Sequence, residues 1–100
     1  MVKKFDVFFC EVRGTEKPCI VVSPDEVNDL LPYVLVAPIT VAMRGFPFRV
    51  GVKLKGQTAQ IALDLMRPMP KEHLKKRIGT IPPPLQEEIL KLLKELLINH

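Results

Sequence analysis

Apolar and polar residues alternate through most of this chain with the two-residue period of strands, and only the last segment changes to three- and four-residue steps. The stretch from Val34 to Phe48 is the one the others are arranged around. Val34, Leu35, Val36, Ala37, Pro38 and Ile39 have the length and composition of a buried strand, and Thr40 supplies the first hydroxyl at its end. A loop then carries Arg44, Phe46 and Phe48 around Gly45 and Pro47, which fix its course.

Read in order, Phe5 to Val12 is a strand with rough alternation, and Arg13 to Pro18 is a turn-rich loop. Cys19 to Val22 forms the next strand, antiparallel to the first. Ser23, Pro24 and Glu26 stand in the order of a capping box with a proline at N1, which predicts a short helical turn toward Asn28 to Leu31 that stops before Pro32. Phe48 to Leu54 alternates again, with Val50, Val52 and Leu54 on one face and Arg49, Gly51 and Lys53 on the other. Lys55 and Gly56 turn the chain into its hairpin partner, Thr58 to Leu65. Pro68 and Pro70 close the sheet region, Lys71 to Arg77 reads as a short basic helix, and Gly79 ends it. Leu85, Ile89, Leu92, Leu93, Leu96 and Leu97 then mark one face of a helix behind a proline start. Strands first and a long helix last predict a mainly β fold: a small, strongly bent antiparallel sheet or barrel with a C-terminal helix packed on it. Residues 1–100 are expected to make one domain.

Composition narrows the classes. With 47% hydrophobic residues the chain is not disordered, and its apolar runs fall well short of the roughly 20 residues a membrane span needs. Lys3 and Lys4 lead into an alternating segment containing Asp6 and not into an apolar core, so no signal peptide is read and a cytoplasmic location is expected, with no membrane partner. A net charge of +4 suits an anionic partner and carries little weight alone. Cys10 and Cys19 lack CxxC spacing, and His73 and His100 show no ligand spacing to them, so neither a zinc site nor any other metal or cofactor is expected. The two cysteines can face each other across a hairpin, with reduced, buried thiols as the default in a cytosolic protein and a disulfide as the alternative in a hyperthermophile. His73 in a polar stretch and His100 at the chain end make a poor two-histidine catalyst. There is no glycine-rich phosphate loop and no nucleophile elbow.

The loop after β-strand residue Thr40 holds the chemistry that stands out. Hydroxyl, guanidinium and aromatic rings together suit a phosphate and a stacked base. Each also has a plainer role: Thr40 can cap the following turn, Phe46 and Phe48 can pack in the core or at a dimer contact, and the Lys71, Lys75, Lys76 and Arg77 run can be a solvated face.

Gly14, Thr15, Glu16, Lys17 and Pro18 before Ile20 to Ser23, then Pro24, Asp25 and Asn28, resemble the N-terminal signature of the MazF/PemK toxins. The likeness continues through Ala37 to Thr40, Arg44 to Phe48, Leu63, Asp64 and Arg67, and Lys76 to Gly79, and so covers nearly the whole chain. It implies an SH3-like barrel of the CcdB/MazF/PemK type, a homodimer that cleaves single-stranded RNA without metal, and a MazE-like antitoxin that neutralises it from the dimer groove. Cutting RNA without a metal uses the neighbouring 2′-hydroxyl as nucleophile, and three tasks remain for the protein: taking that proton, protonating the leaving oxygen, and stabilising charge on the phosphoryl oxygens. Glu16 is the candidate proton acceptor, Lys17 the proton donor or phosphate contact, and Thr40 a neutral donor. Asp64 is either a catalytic carboxylate or a structural acceptor. Arg13, Arg44 and Arg67 are candidates for flanking phosphates, and Phe46 or Phe48 for a base platform.

This sequence departs from the family at three places. Many members carry arginine at the position of Lys17, and lysine lacks the planar fork that grips two oxygens at once. Ala62 stands where some members have an arginine, and Leu65 where glutamine is common. Three classes therefore stay open: an endoribonuclease toxin, a barrel that binds RNA or a large enzyme without cutting as CcdB-like toxins do, and a structural dimer whose groove takes a partner segment.

Overall fold

The computed structural model describes residues 1–98; His100 lies outside them. Its centre is the strand expected at Val34 to Ile39. This strand, β3 (Tyr33–Thr40), pairs with β2 (Thr15–Val21) along one edge. Along its other edge it is shared between β6 (Arg67–Pro70), opposite Tyr33 to Val36, and β5 (Gln57–Ala62), opposite Ile39 and Thr40. With β1 (Asp6–Val12), β4 (Arg49–Leu54) and β7 (Leu74–Thr80), the antiparallel order is β4-β5-β3-β2-β1-β7, a curled half-barrel. Two helices complete the chain, α1 (Asp25–Leu30) and α2 (Pro83–Leu97).

The sheet is apolar on both faces, which explains why β1 alternates only roughly. Val7, Ile20, Ala37, Ile39, Val50 and Ile61 fill one face beneath α2, whose Ile89 is fully buried and whose Leu85, Leu92 and Leu93 pack beside it. Phe8, Cys10, Cys19, Val21, Val34, Val36 and Met69 fill the other. The C-terminal helix is where the periodicity places it, behind Pro83 and Pro84 in its first turn. No helix among the described residues is long and apolar enough to cross a membrane.

Several local expectations give way to long-range pairing. Arg13 to Pro18 is not a loop: β1 and β2 are joined by Arg13 and Gly14 alone, both in the left-handed region (φ 51° and 80°), as a two-residue hairpin turn requires. Pro18 sits within β2 opposite Phe9, outside the β3 ladder, which starts at Cys19, so its missing N–H interrupts nothing there. Ser23 does not cap α1, whose N-cap is Pro24. Buried instead, its hydroxyl donates to Asn28 Oδ1 at 2.5 Å and accepts the Leu35 N–H at 3.0 Å, fastening α1 to β3. β5 ends at Ala62, and Leu63–Leu65 is a single 3-10 turn.

The largest correction is after Leu65. Pro68 and Pro70 lie inside strand β6 and do not end the sheet, and the segment read as a basic helix is a 3-10 turn, Lys71–His73, followed by strand β7 along β1. Its lysines and arginine favour helix locally, but Asp6, buried in β1, takes an ion pair from Arg77 at 3.1 Å. Basic side chains along an edge strand also oppose pairing with another chain. Finally, Cys10 and Cys19 are bonded as a disulfide across β1 and β2, with Cα atoms 6.3 Å apart, where free thiols were the default expectation.

Candidate functional site

Lys17 comes into place through strand register. The β2–β3 ladder pairs Val21 with Val36, Ile20 with Ala37 and Cys19 with Pro38; carried two residues further, it sets Lys17 opposite Thr40. Both residues line an open cleft of about 550 Å³ together with Pro18, Pro38, Arg44, Phe46, Arg49 and Leu65. Three of its side chains are cationic and none is a carboxylate. An anion with an apolar or aromatic portion fits such a surface, since the fixed charges attract it and the prolines, Phe46 and Leu65 supply contact area.

Each wall of the cleft has a traceable support. Thr40 Oγ1 accepts the Ala42 N–H at 3.1 Å, so its hydroxyl does cap the turn and keeps its own proton to donate. Gln60, the ladder partner of Thr40, reaches over to the loop and accepts the Arg44 N–H while donating to the Arg44 carbonyl, both at 3.1 Å. Phe46 is exposed (56%), available as a flat platform, and the Arg49 guanidinium stacks over its ring at 5.1 Å. Arg49 is in turn gripped by Asp64 through two hydrogen bonds, Nε to Oδ1 at 2.6 Å and an Nη to Oδ2 at 3.1 Å. The side chain of Arg49 is 7% exposed and that of Asp64 30%. Hydrogen bonding from Arg49 holds the Asp64 carboxyl below the ordinary aspartate value against the opposing effect of partial burial, and the same contact raises Arg49.

The structure divides the residues singled out from the sequence. Lys17, Thr40, Arg44 and Phe46 meet in the cleft. Glu16 does not line it: it is the neighbour of Lys17 on β2, where successive side chains take opposite faces, and it stands across from Glu11. Asp64 sits beside the cleft as the anchor of Arg49. Phe48, in the left-handed region at φ 64°, is half-buried against the core cluster that includes Val50 and Leu63 and leaves the platform to Phe46. Arg13 and Arg67 line a separate hollow of about 250 Å³ with Glu11, Met69 and His73. Arg67 stands opposite Val36, which is four residues or about 13 Å along β3 from Thr40. Arg49 and Gln60 are the residues that sequence reading missed. Arg49 fell on the polar face of β4, a hint without a partner, and nothing local marked Gln60.

A smaller apolar cavity of about 140 Å³ lies between the sheet and α2, lined by Val7, Ile39, Val52 and Leu85 among others, and lacks the cationic cluster of the cleft. Among the described residues, no three His, Cys, Asp or Glu side chains gather as a metal ligand set.

Comparison with known proteins agrees with this architecture. A mycobacterial endoribonuclease solved in complex with its cognate antitoxin superposes with a TM-score of 0.87 at 21% identity, over 97% of this chain and 95% of that one. The Mycobacterium tuberculosis toxin MazF-mt6 gives 0.80 at 21% identity, over 90% and 93%. MazF from a Deinococcus radiodurans MazE–MazF structure gives 0.84 at 20% identity, over 97% and 95%. At these identities the likeness speaks for the fold. No curated protein matches the chain by sequence. A family model does, over residues 3–97, and with it the chain belongs to the PemK-like, MazF-like toxins of type II toxin–antitoxin systems.

Proposed function

We propose that this chain is a toxin that cuts single-stranded RNA, using the ribose 2′-hydroxyl as nucleophile. The observation that carries the reading is the convergence of Lys17, Thr40, Arg44 and Phe46 on one carboxylate-free cleft. In the proposed reaction the 2′-oxygen attacks phosphorus, the bond to the 5′-oxygen breaks, and the products are a 2′,3′-cyclic phosphate and a 5′-hydroxyl. Lys17 donates a proton to the leaving oxygen or its charge to the phosphoryl oxygens, Thr40 donates a neutral hydrogen bond, and Arg44 holds the adjoining phosphate. Phe46, braced by Arg49, stacks a base. The 2′-hydroxyl proton passes to Glu16, reaching round from the other side of β2, or to solvent water. Arg13 and Arg67 serve RNA further along, and Phe48 serves the fold.

The partners follow from the same reading. A structural relative is an endoribonuclease held by its cognate antitoxin, and others are MazE–MazF complexes, which supports a MazE-like antitoxin for this chain; a homodimer acting in the cytoplasm completes the proposal as what membership of the toxin family implies.

The missing carboxylate favours one second reading, a barrel that binds RNA in the same cleft without cutting it. Incubation of purified protein with a mixed-sequence RNA in a metal chelator, followed by mapping of the ends, separates the two. Fragments with 5′-hydroxyl ends support cutting; RNA that is bound and left whole supports the second.

A further inference from the structure

We infer that Gln60 is a positioning residue: its carboxamide sets where the loop between β3 and β4 holds Arg44 and Phe46 over the cleft, and so which bases flank the linkage that is cut. The inference rests on the RNA-cutting reading for its consequence and on hydrogen bonding for its geometry. Residues 41–47 belong to no strand or helix, yet Val41, Ala42, Arg44 and Phe46 all line the cleft. The Ala42 N–H reaches only as far back as Thr40. Among the described residues, the hydrogen bonds that tie this loop to another strand are the two from Gln60, and both go to Arg44.

The side-chain amide acts here as a strand neighbour would. Its oxygen accepts the Arg44 N–H and its nitrogen donates to the Arg44 carbonyl, so position and direction of the peptide are both fixed. Because Gln60 is also the backbone partner of Thr40, the clamp and the hydroxyl share one rung of the sheet. Displacement of the loop moves Arg44 and Phe46, the groups proposed to hold RNA, and leaves Lys17 and Thr40 in place, so binding and cut-site choice suffer before the chemical step. Glutamate at this position keeps the acceptor and sets a carboxylate oxygen against a carbonyl. Alanine removes both bonds.

The test compares wild type with Gln60→Ala and Gln60→Glu in amide hydrogen exchange, thermal melting and RNA-cutting kinetics. In Gln60→Ala, exchange across residues 41–47 is expected to rise while β2 stays protected, and KM to rise about tenfold with kcat within about threefold of wild type. Cut sites should broaden in both variants, and Gln60→Glu should keep part of the protection at the Arg44 N–H. Unchanged exchange in the loop, or unchanged KM and cut-site choice, overturns the inference, as does a loss of kcat that tracks a fall in melting temperature. If wild type cuts no RNA, the cutting reading fails separately, and affinity for a non-cleavable RNA with 2′-deoxy sugars replaces KM. Loosened binding in Gln60→Ala then supports the clamp, and equal or absent binding overturns it.

Discussion

Lys17 and Thr40 line one cleft at the end of the β2–β3 ladder, each two residues beyond its last pair, Cys19 and Pro38. Glu16, next to Lys17 on β2, takes the opposite face, and this is why an ammonium and a hydroxyl, and not a carboxylate, line the cleft.

Phe46 and Phe48 should separate binding from stability. Phe46→Ala removes an exposed ring and should weaken RNA binding by about 1–3 kcal/mol, the usual worth of one stacked base, with the melting temperature close to wild type. Phe48→Ala removes a ring packed on the core cluster and should destabilise the fold by about 2–3 kcal/mol. Fluorescence anisotropy with labelled RNA and thermal melting of both variants check the contrast.

The Asp64 and Arg49 pair predicts a pH dependence. The folded carboxyl titrates below its unfolded value, so its stabilising contribution is complete above the ordinary aspartate pKa of about 3.9 and is lost as pH falls from there through the folded value. The melting-temperature gap between wild type and Asp64→Asn should therefore hold steady from neutral pH down to mildly acidic pH and close below it. A gap that closes near neutral pH contradicts the pairing. Because Asp64 anchors Arg49, which braces Phe46, the same variant should also bind RNA less tightly at pH 7.

The bond between Cys10 and Cys19 closes a short loop at the base of the hairpin that carries Lys17. Replacing both cysteines with serine should cost about 2 kcal/mol and lower the melting temperature by roughly 10 °C, and adding a reductant should reproduce the shift in the wild type only.

Legibility in the sequence followed the range of the forces involved. β3 was readable because a run of six apolar residues is strongly strand-like, although Leu35 is exposed and Pro38 only half-buried, and α2 because one apolar face recurs over four turns. β7 was not. Lysine and arginine in Lys75 to Arg77 favour helix as neighbours, and only the distant Asp6 and the open edge of β1 turn them into a strand. The Arg13 and Gly14 turn was hidden by Pro18, which argues against a strand unless its other edge is known to be free. In the cleft, Lys17, Thr40, Arg44 and Phe46 were visible as residue types suited to phosphate and base. Their distribution over faces was not, since it depends on a register that one strand cannot set alone. Arg49 and Gln60 gain meaning only from Asp64, Phe46 and Arg44, each of which reaches them through the folded sheet.

In the proposed reaction Lys17 and Thr40 act directly on the ribose-phosphate linkage. The most direct measurement of that action is single-turnover cleavage of one short RNA in chelator by wild type, Lys17→Ala and Thr40→Ala, each first shown to melt like the wild type. Each variant should lose about 10²–10³ in rate, with 5′-hydroxyl ends from the wild type and RNA affinity changed far less than rate. Two folded variants that cut as fast as the wild type would contradict it.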